Sequence, residues 1–213
     1  MTAGGTVRGP LFPGTSAAVL AGGRSTRMGT NKALLEVDGA GMLRRTAALL
    51  RPLVGELFIV ADYAEPYADL GLPVVPDIFP GRGPAGGIHA ALRHAAHPFV
   101  LCAACDMPYL GRRLLELLLG AARPGDDAVL PRIGCHSEPL LAVYGRGALP
   151  GFERAIATGR LSVLHALEGL RVRYIDEADL EAADPGLRSF INVNTPGDLA
   201  NARALAPARG GGR

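Results

Sequence analysis

From Leu20 the chain reads Leu20-Ala21-Gly22-Gly23-Arg24-Ser25-Thr26-Arg27-Met28-Gly29-Thr30-Asn31-Lys32, a glycine pair followed by three cations. Adjacent glycines let backbone N–H groups approach a phosphate chain where a side chain would block them. Arg24, Arg27 and Lys32 are placed to neutralise that phosphate, the arginines by forked hydrogen bonds and the lysine as a point charge. The spacing to a Gly-Lys-Ser/Thr triplet is absent, so this is not a P-loop. The plain alternative is a glycine turn with solvated basic residues around it. The spacing supports a phosphate site without naming the reaction.

A second chemical position is Asp106, which ends the apolar run Leu101-Cys102-Ala103-Ala104-Cys105. A carboxylate just past a buried strand lies at the crevice where open α/β sheets bind ligands. As a hard oxygen donor it suits Mg²⁺ bridging phosphate oxygens. An isolated Asp there also works as a helix N-cap or turn residue. Cys102 and Cys105, with Cys135-His136 further on, raise a zinc site. Residues three apart on a strand point to opposite faces, so those thiols do not converge.

Between these motifs lies Asp77, ahead of Gly83-Pro84-Ala85-Gly86-Gly87. Gly and Pro here are also ordinary punctuation at a helix start. Gly81-Arg82-Gly83-Pro84-Ala85-Gly86 matches a dinucleotide-binding fingerprint, with Asp106 at the interval of a ribose-binding acid. That fingerprint requires its first glycine directly after a strand, whereas Pro76–Pro80 intervenes here and Pro84 stiffens the turn. Near the other end, Asn192 and Asn194 sit two apart on an extended segment and share a face. Their amides donate and accept, so they can orient an acceptor or a metal-bound water, while Thr195 or Asn194 caps the following helix.

These residues need elements to carry them. Ser16–Ala21, Glu56–Ala61, Leu72–Val75 and Pro98–Ala104 read as buried strands, and Asp127–Leu130, Pro139–Tyr144 and Val172–Ile175 as further strands. Helices are expected at Met42–Leu50, Glu65–Leu70, Ala85–Ala96, Gly111–Ala122, Ala148–Thr158, Ser162–Leu167 and Thr195–Leu205, the last with Pro196 in its first turn. The alternation predicts an α/β fold, a three-layer Rossmann-like sandwich around a mostly parallel central sheet. Residues 1–15 read as a flexible lead-in, 16–206 as one domain and 207–213 as a flexible tail.

Composition narrows the classes. The 213 residues suit one sizeable domain, and 48% hydrophobic with 20% charged residues suits a globular protein. The formal charge of +2, with no basic run, gives no footprint for nucleic acid. Apolar stretches such as Leu114–Leu119 fall far short of the roughly 20 residues of a membrane span. No secretory leader pattern opens the chain, and three cysteines fit reduced thiols, so a cytoplasmic location is expected.

Leu20-Ala21-Gly22-Gly23, then Arg27-Met28-Gly29 and Lys32 before Ala33-Leu34-Leu35, resembles the opening signature of the molybdenum cofactor guanylyltransferases, within the nucleotidyltransferases of Rossmann-like fold. Phe190-Ile191-Asn192-Val193-Asn194-Thr195-Pro196 is similar to their closing signature. Glu138-Pro139-Leu140-Leu141-Ala142-Val143-Tyr144 resembles a segment lining their acceptor pocket, and Gly159-Arg160 part of a glycine and arginine-pair feature. The likeness spans Ser16 to Leu205. It departs at Asn31 and Gly197, where acidic residues are usual.

This resemblance implies transfer of GMP from GTP to the terminal phosphate of the molybdopterin cofactor, with pyrophosphate released. It implies nucleotide binding by Leu20, Ala21, Gly22, Gly23, Lys32, Asp77 and Asp106, and acceptor binding by Gly83, Gly86, Asn192 and Asn194. Arg27, Lys32 and Asp106 take the catalytic roles, and Asp106 holds Mg²⁺. Leu-Ala-Gly-Gly goes with guanine in that group, and Leu-Ala-Ala-Gly with cytosine. Molybdenum insertion proteins upstream and recipient molybdoenzymes downstream are the implied partners. The alternatives are a transferase using CTP or a sugar or alcohol phosphate, and a nucleotide-binding sensor without catalysis.

Overall fold

The computed structural model describes residues 9–22, 32–37 and 40–205. In chain order the elements are β1 (Phe12–Leu20), β2 (Glu36–Val37), β3 (Ala40–Gly41), α1 (Met42–Leu50), β4 (Val54–Val60), β5 (Val74–Val75), α2 (Gly83–His94) and β6 (Phe99–Ala104). They continue with α3 (Arg112–Ala121), β7 (Ala128–Ile133), β8 (His136–Ser137), β9 (Leu141–Gly145), α4 (Leu149–Thr158), α5 (Val163–Ala166), β10 (Val172–Asp176), α6 (Glu177–Ala183) and α7 (Pro196–Leu205).

The main sheet has eight strands in the order β10-β7-β9-β6-β1-β4-β5, with β8 paired to β7. β1 is central and runs parallel to β4 and β6, β4 runs parallel to β5, and β7 parallel to β10. β9 opposes both of its neighbours, so the sheet is mixed. Along β1, Ala17 and Val19 enter one apolar cluster and Ala18 the other, as the two-residue period of a strand requires. Leu43 and Leu50 of α1 and Leu114 and Leu118 of α3 cover the first face. Ile88 and Ala91 of α2, Phe152 of α4 and Ala166 of α5 cover the second. Three layers result.

The α1 expectation coincides with the observed helix because its buried residues, Met42, Leu43, Thr46, Ala47 and Leu50, recur at helical spacing. β1 begins at Phe12, ahead of the expected Ser16, with a register irregularity between the two. Its extra turn of chain fits because Gly55 faces it. A Cβ on Gly55 would lie 2.0 Å from the Pro13 carbonyl oxygen. The helical piece at Glu65–Leu70 is a 3-10 helix.

The segment read as one strand from Pro139 is more elaborate. β8 and β9 lie end to end along the same edge of β7, interrupted at Glu138-Pro139-Leu140. Proline has no N–H for the ladder, so the strand breaks there. The Leu140 carbonyl still accepts at 2.8 Å from the N–H of Ala104, the last residue of β6, in register with the β6–β9 ladder.

On the far edge, Arg173 of β10 donates from Nε and Nη2 to the two Asp126 carboxylate oxygens at 2.8 and 3.1 Å. The Arg173 bond, reinforced by Arg123 N–H, holds the Asp126 carboxyl below the usual carboxylate range. Its stabilisation is therefore present above the unfolded-state value of about 3.9 and is lost as pH falls through the folded value. Arg173→Met should lower Tm at neutral pH, and its gap from the unmodified chain should close in melts taken towards about pH 3. A gap of constant size would show that the pair's charge is not what matters.

Candidate active site

The crevice forms where β1 and its two parallel neighbours end. Ala21 N–H donates to the Val60 carbonyl at 2.9 Å, and Cys105 N–H donates to the Leu20 carbonyl at 3.2 Å. Thus the last backbone groups of β1 are tied to β4 on one side and to the chain leaving β6 on the other. Tyr67, almost wholly buried, adds a hydroxyl 3.4 Å from the Ala21 carbonyl. Leu20 reaches across to α2, with Cδ2 3.7 Å from where a Gly87 Cβ would stand. Gly22 is exposed at the mouth. Gly23, Arg24, Arg27 and the Lys32 side chain lie outside the described residues.

Asp106 follows the β6 end and is half-buried. Its carbonyl accepts from Val193 N–H at 2.9 Å, which draws Asn192-Val193-Asn194 onto the same crevice. Val193 is fully buried, whereas the Asn192 amide oxygen is buried without a hydrogen-bond partner among the described residues. Asn194 is exposed at the start of α7. There Asn194 and Thr195 N–H groups donate to Asp198 Oδ2 at 2.9 and 2.8 Å, and Asp198 N–H returns to Thr195 Oγ1 at 3.1 Å. That reciprocal arrangement is a capping box with Asp in the usual Glu position. The two asparagines flank Val193 and differ in burial, Asn192 half-buried with its amide oxygen shielded and Asn194 exposed.

Glu138 was not singled out among the candidate site residues. Its place in the strand break brings it near Asp106, and its Oε1 accepts Leu140 N–H at 3.1 Å. Burial chiefly pushes the Glu138 carboxyl up, against the lowering effect of that bond, with the Asp106 charge pushing the same way as burial. The signal in the sequence was Pro139, which forbids regular pairing where β6 has just ended.

Asp77 and Gly86, expected to serve nucleotide and acceptor respectively, meet at one spot. A Cβ on Gly86 would lie 2.6 Å from Asp77 Oδ2, so the carboxylate rests directly on α2. Asp77 Oδ1 accepts Phe79 N–H at 2.9 Å, an Asx-type turn. Burial raises the Asp77 carboxyl, the Phe79 bond opposes it, and Asp62 adds like charge. Gly83 opens α2 at φ +60°, a left-handed conformation suited to glycine. The dinucleotide fingerprint fails geometrically, because residues 76–82 separate α2 from the two-residue β5.

Asp106, Glu138 and the orphaned Asn192 oxygen are all hard oxygen donors, which fits Mg²⁺. Among the described residues no three His, Cys, Asp or Glu side chains form a metal cage. Mg²⁺ commonly takes one or two carboxylates and completes its shell with water and substrate phosphate, so a full protein cage is not required. Cys102 and Cys105 enter opposite apolar clusters, and burial pushes the Cys102 thiol far up.

Residues 17–174 match the MobA-like NTP transferase domain. The chain belongs to that family. The MobA-like match begins inside β1, ends inside β10 and includes both Asp77 and Asp106. A relative from Pelotomaculum thermopropionicum, named probable molybdenum cofactor guanylyltransferase, is 42% identical, with 88% of this chain and 91% of that one aligned. One from Desulfosudis oleivorans, named molybdenum cofactor guanylyltransferase, is 37% identical over 89% and 95%. The solved structure of molybdopterin-guanine dinucleotide biosynthesis protein A from Archaeoglobus fulgidus is 34% identical, covers 89% of this chain and 97% of that one, and superposes with a TM-score of 0.78. This MobA-like chain is thus an NTP transferase with a Rossmann-like fold. No helix among its described residues is long and apolar enough to cross a membrane.

Gly86→Ala isolates the Asp77 contact. In an exposed helix this exchange gains about 0.5–1 kcal/mol from backbone entropy. Here the new methyl must displace the Asp77 carboxylate. Affinity for a nucleoside triphosphate, read by titration calorimetry, should fall about tenfold, equivalent to about 1.4 kcal/mol. Unchanged affinity would show that the Asp77 turn does not serve the nucleotide.

Proposed function

We propose that this transferase moves GMP from GTP to the terminal phosphate of the molybdopterin cofactor, yielding its guanine dinucleotide form and pyrophosphate. The observation that carries the reading is the Val193–Asp106 bond, which brings the closing signature to the crevice where the glycine loop leaves β1. Nucleotide and acceptor then meet across the Asp106 carboxylate.

In this mechanism a terminal phosphate oxygen of the acceptor attacks the α-phosphorus of GTP in line. The new P–O bond forms as the α–β bridging bond breaks, and its electron pair leaves on pyrophosphate. Leu20, Ala21, Gly22 and Gly23 bring backbone to the triphosphate, and Arg27 and Lys32 offset its charge. Asp77 contacts the nucleotide from the α2 side. Gly83, Gly86, Asn192 and Asn194 serve the acceptor side. Asp106 would hold Mg²⁺, with the Asn192 oxygen and Glu138 beside it. When bound, the metal supplies charge neutralisation at the phosphate oxygens. Little covalent chemistry falls to the protein, so positioning and electrostatics dominate. Gly22 in Leu-Ala-Gly-Gly supports guanine over cytosine.

Purified chain with Mg²⁺, molybdopterin cofactor and each of the four nucleoside triphosphates should release pyrophosphate with GTP. Asp106→Ala should cut that rate about a hundredfold or more, with Tm preserved. Release confined to CTP would overturn the guanine assignment, and full turnover by the variant would remove Asp106 from the mechanism.

A further inference from the structure

Val37, Met42, Val193 and Ala202 form a small apolar cluster apart from the two that cover the sheet, with Tyr109 and Leu199 packed at its edge. Three segments of the proposed mechanism run into it. Val37 belongs to β2, just after the turn that Lys32 opens. Tyr109 follows shortly after Asp106, and Val193 stands between Asn192 and Asn194. Because the fully buried Val193 side chain enters the cluster, the asparagines on either side of it along extended chain point the other way.

α7 closes this cluster with little apolar surface of its own. Of its described side chains only Ala202 is buried, and Ala200, Asn201 and Arg203 are exposed. What fixes its last turn is polar. Arg203 donates from Nε and Nη2 to the Glu36 carbonyl of β2 at 3.2 and 3.0 Å. The carbonyl of the preceding residue, Ala202, accepts the Tyr109 hydroxyl. One helix thus begins in the capping box at Asn194 and Thr195 and ends on chain neighbours of Lys32 and Asp106. Apolar contact alone would let so small a cluster slide, whereas a charge-assisted bond to a carbonyl fixes direction as well as distance.

We propose that Arg203 is a positioning residue for the transfer step, clamping α7 so that the acceptor-side asparagines and the lysine-bearing segment keep one spacing. This rests on the reading that nucleotide and acceptor meet across Asp106. Arg203 acts through Glu36 and α7. Its contribution is the alignment of two bound reactants, where a displacement of about 1 Å can cost about a hundredfold in rate, and it adds little to the affinity of either one alone.

The test is Arg203→Met on the full chain, which keeps an unbranched stem and removes the donors. Turnover is read by pyrophosphate release with GTP, molybdopterin cofactor and Mg²⁺, each substrate varied at saturation of the other. Binding of the α,β-methylene analogue of GTP is read by calorimetry and folding by Tm. kcat should fall about fivefold or more, while both KM values and the analogue affinity change less than about twofold and Tm holds. Tyr109→Phe, which frees the same turn of α7 from the Asp106 side, should show the same split. Arg203→Lys, which returns a donor to the Glu36 carbonyl, should recover part of kcat. Parent-like kcat in Arg203→Met, a loss confined to KM, or no recovery in Arg203→Lys overturns the proposal. So does a lowered Tm with a kcat loss that disappears on cooling, because loosened folding then accounts for the effect. A parent chain that transfers no nucleotide to the molybdopterin cofactor refutes the proposed function instead, and the alignment role falls with it.

Discussion

The structure depends on the burial of β1 between two parallel neighbours. A strand covered on both faces and flanked on both edges has no freedom at its end, and here Leu20 and Ala21 are further bonded to Cys105 and Val60. Two departures of chain, the glycine loop and the Asp106 turn, therefore begin from backbone groups hydrogen-bonded to each other. Small residues make this possible. Ala17, Ala18, Ala103 and Ala104 keep the central strands close to their covering helices, and the bulk is supplied from α1, α3 and α4.

The antiparallel β9 matters to the same crevice. Had the chain continued from β7 through another parallel crossover, the segment beside β6 would have ended at the crevice as β6 does, bringing its exit there and not its entry. By returning antiparallel, it starts at the crevice, and the break at Glu138-Pro139-Leu140 falls beside Asp106. Strand irregularities concentrate next to functional sites because they re-aim side chains that regular pleating would direct elsewhere. Tyr144 anchors the break from below by donating its hydroxyl to the Pro139 carbonyl at 2.6 Å.

Much of this was legible in the residues, and the rest was missing for physical reasons. α1 and α3 announce themselves through buried leucines at helical spacing, and β6 through an unbroken apolar run ending at Asp106. α6 was missed because only Leu180 among its residues is buried, which leaves no period to detect. β8 and the hairpin at Gly134 were missed because two-residue strands have no pattern. The first residues of β1 look like loop because Pro13 and Gly14 are ordinary breakers, and only the matching Gly55 on β4 explains their pairing. Asp106 and Asn192 could be nominated from sequence, but not the Val193 bond that joins them. Contacts across 87 positions, Asp106 to Val193, carry no local signal. Glu138 was visible only as the first residue of a segment resembling an acceptor-pocket lining, since its approach to Asp106 is also long-range.

The electrostatics of the crevice complete the argument. Asp77 and Glu138 are both raised chiefly by burial, so each ionised carboxylate weakens the folded state as pH rises through its unfolded value. Asp106 adds like charge beside Glu138. A fold that needed only stability would place apolar groups there. Under the proposed function, half-buried acids near the end of β1, where a sequence rich in Gly, Arg and Lys follows, suit a ligand that brings both signs of charge, a divalent cation and a triphosphate. On that reading, the like charge of Asp106 and Glu138 becomes attraction for a metal–nucleotide pair, and binding recovers free energy that folding left unspent.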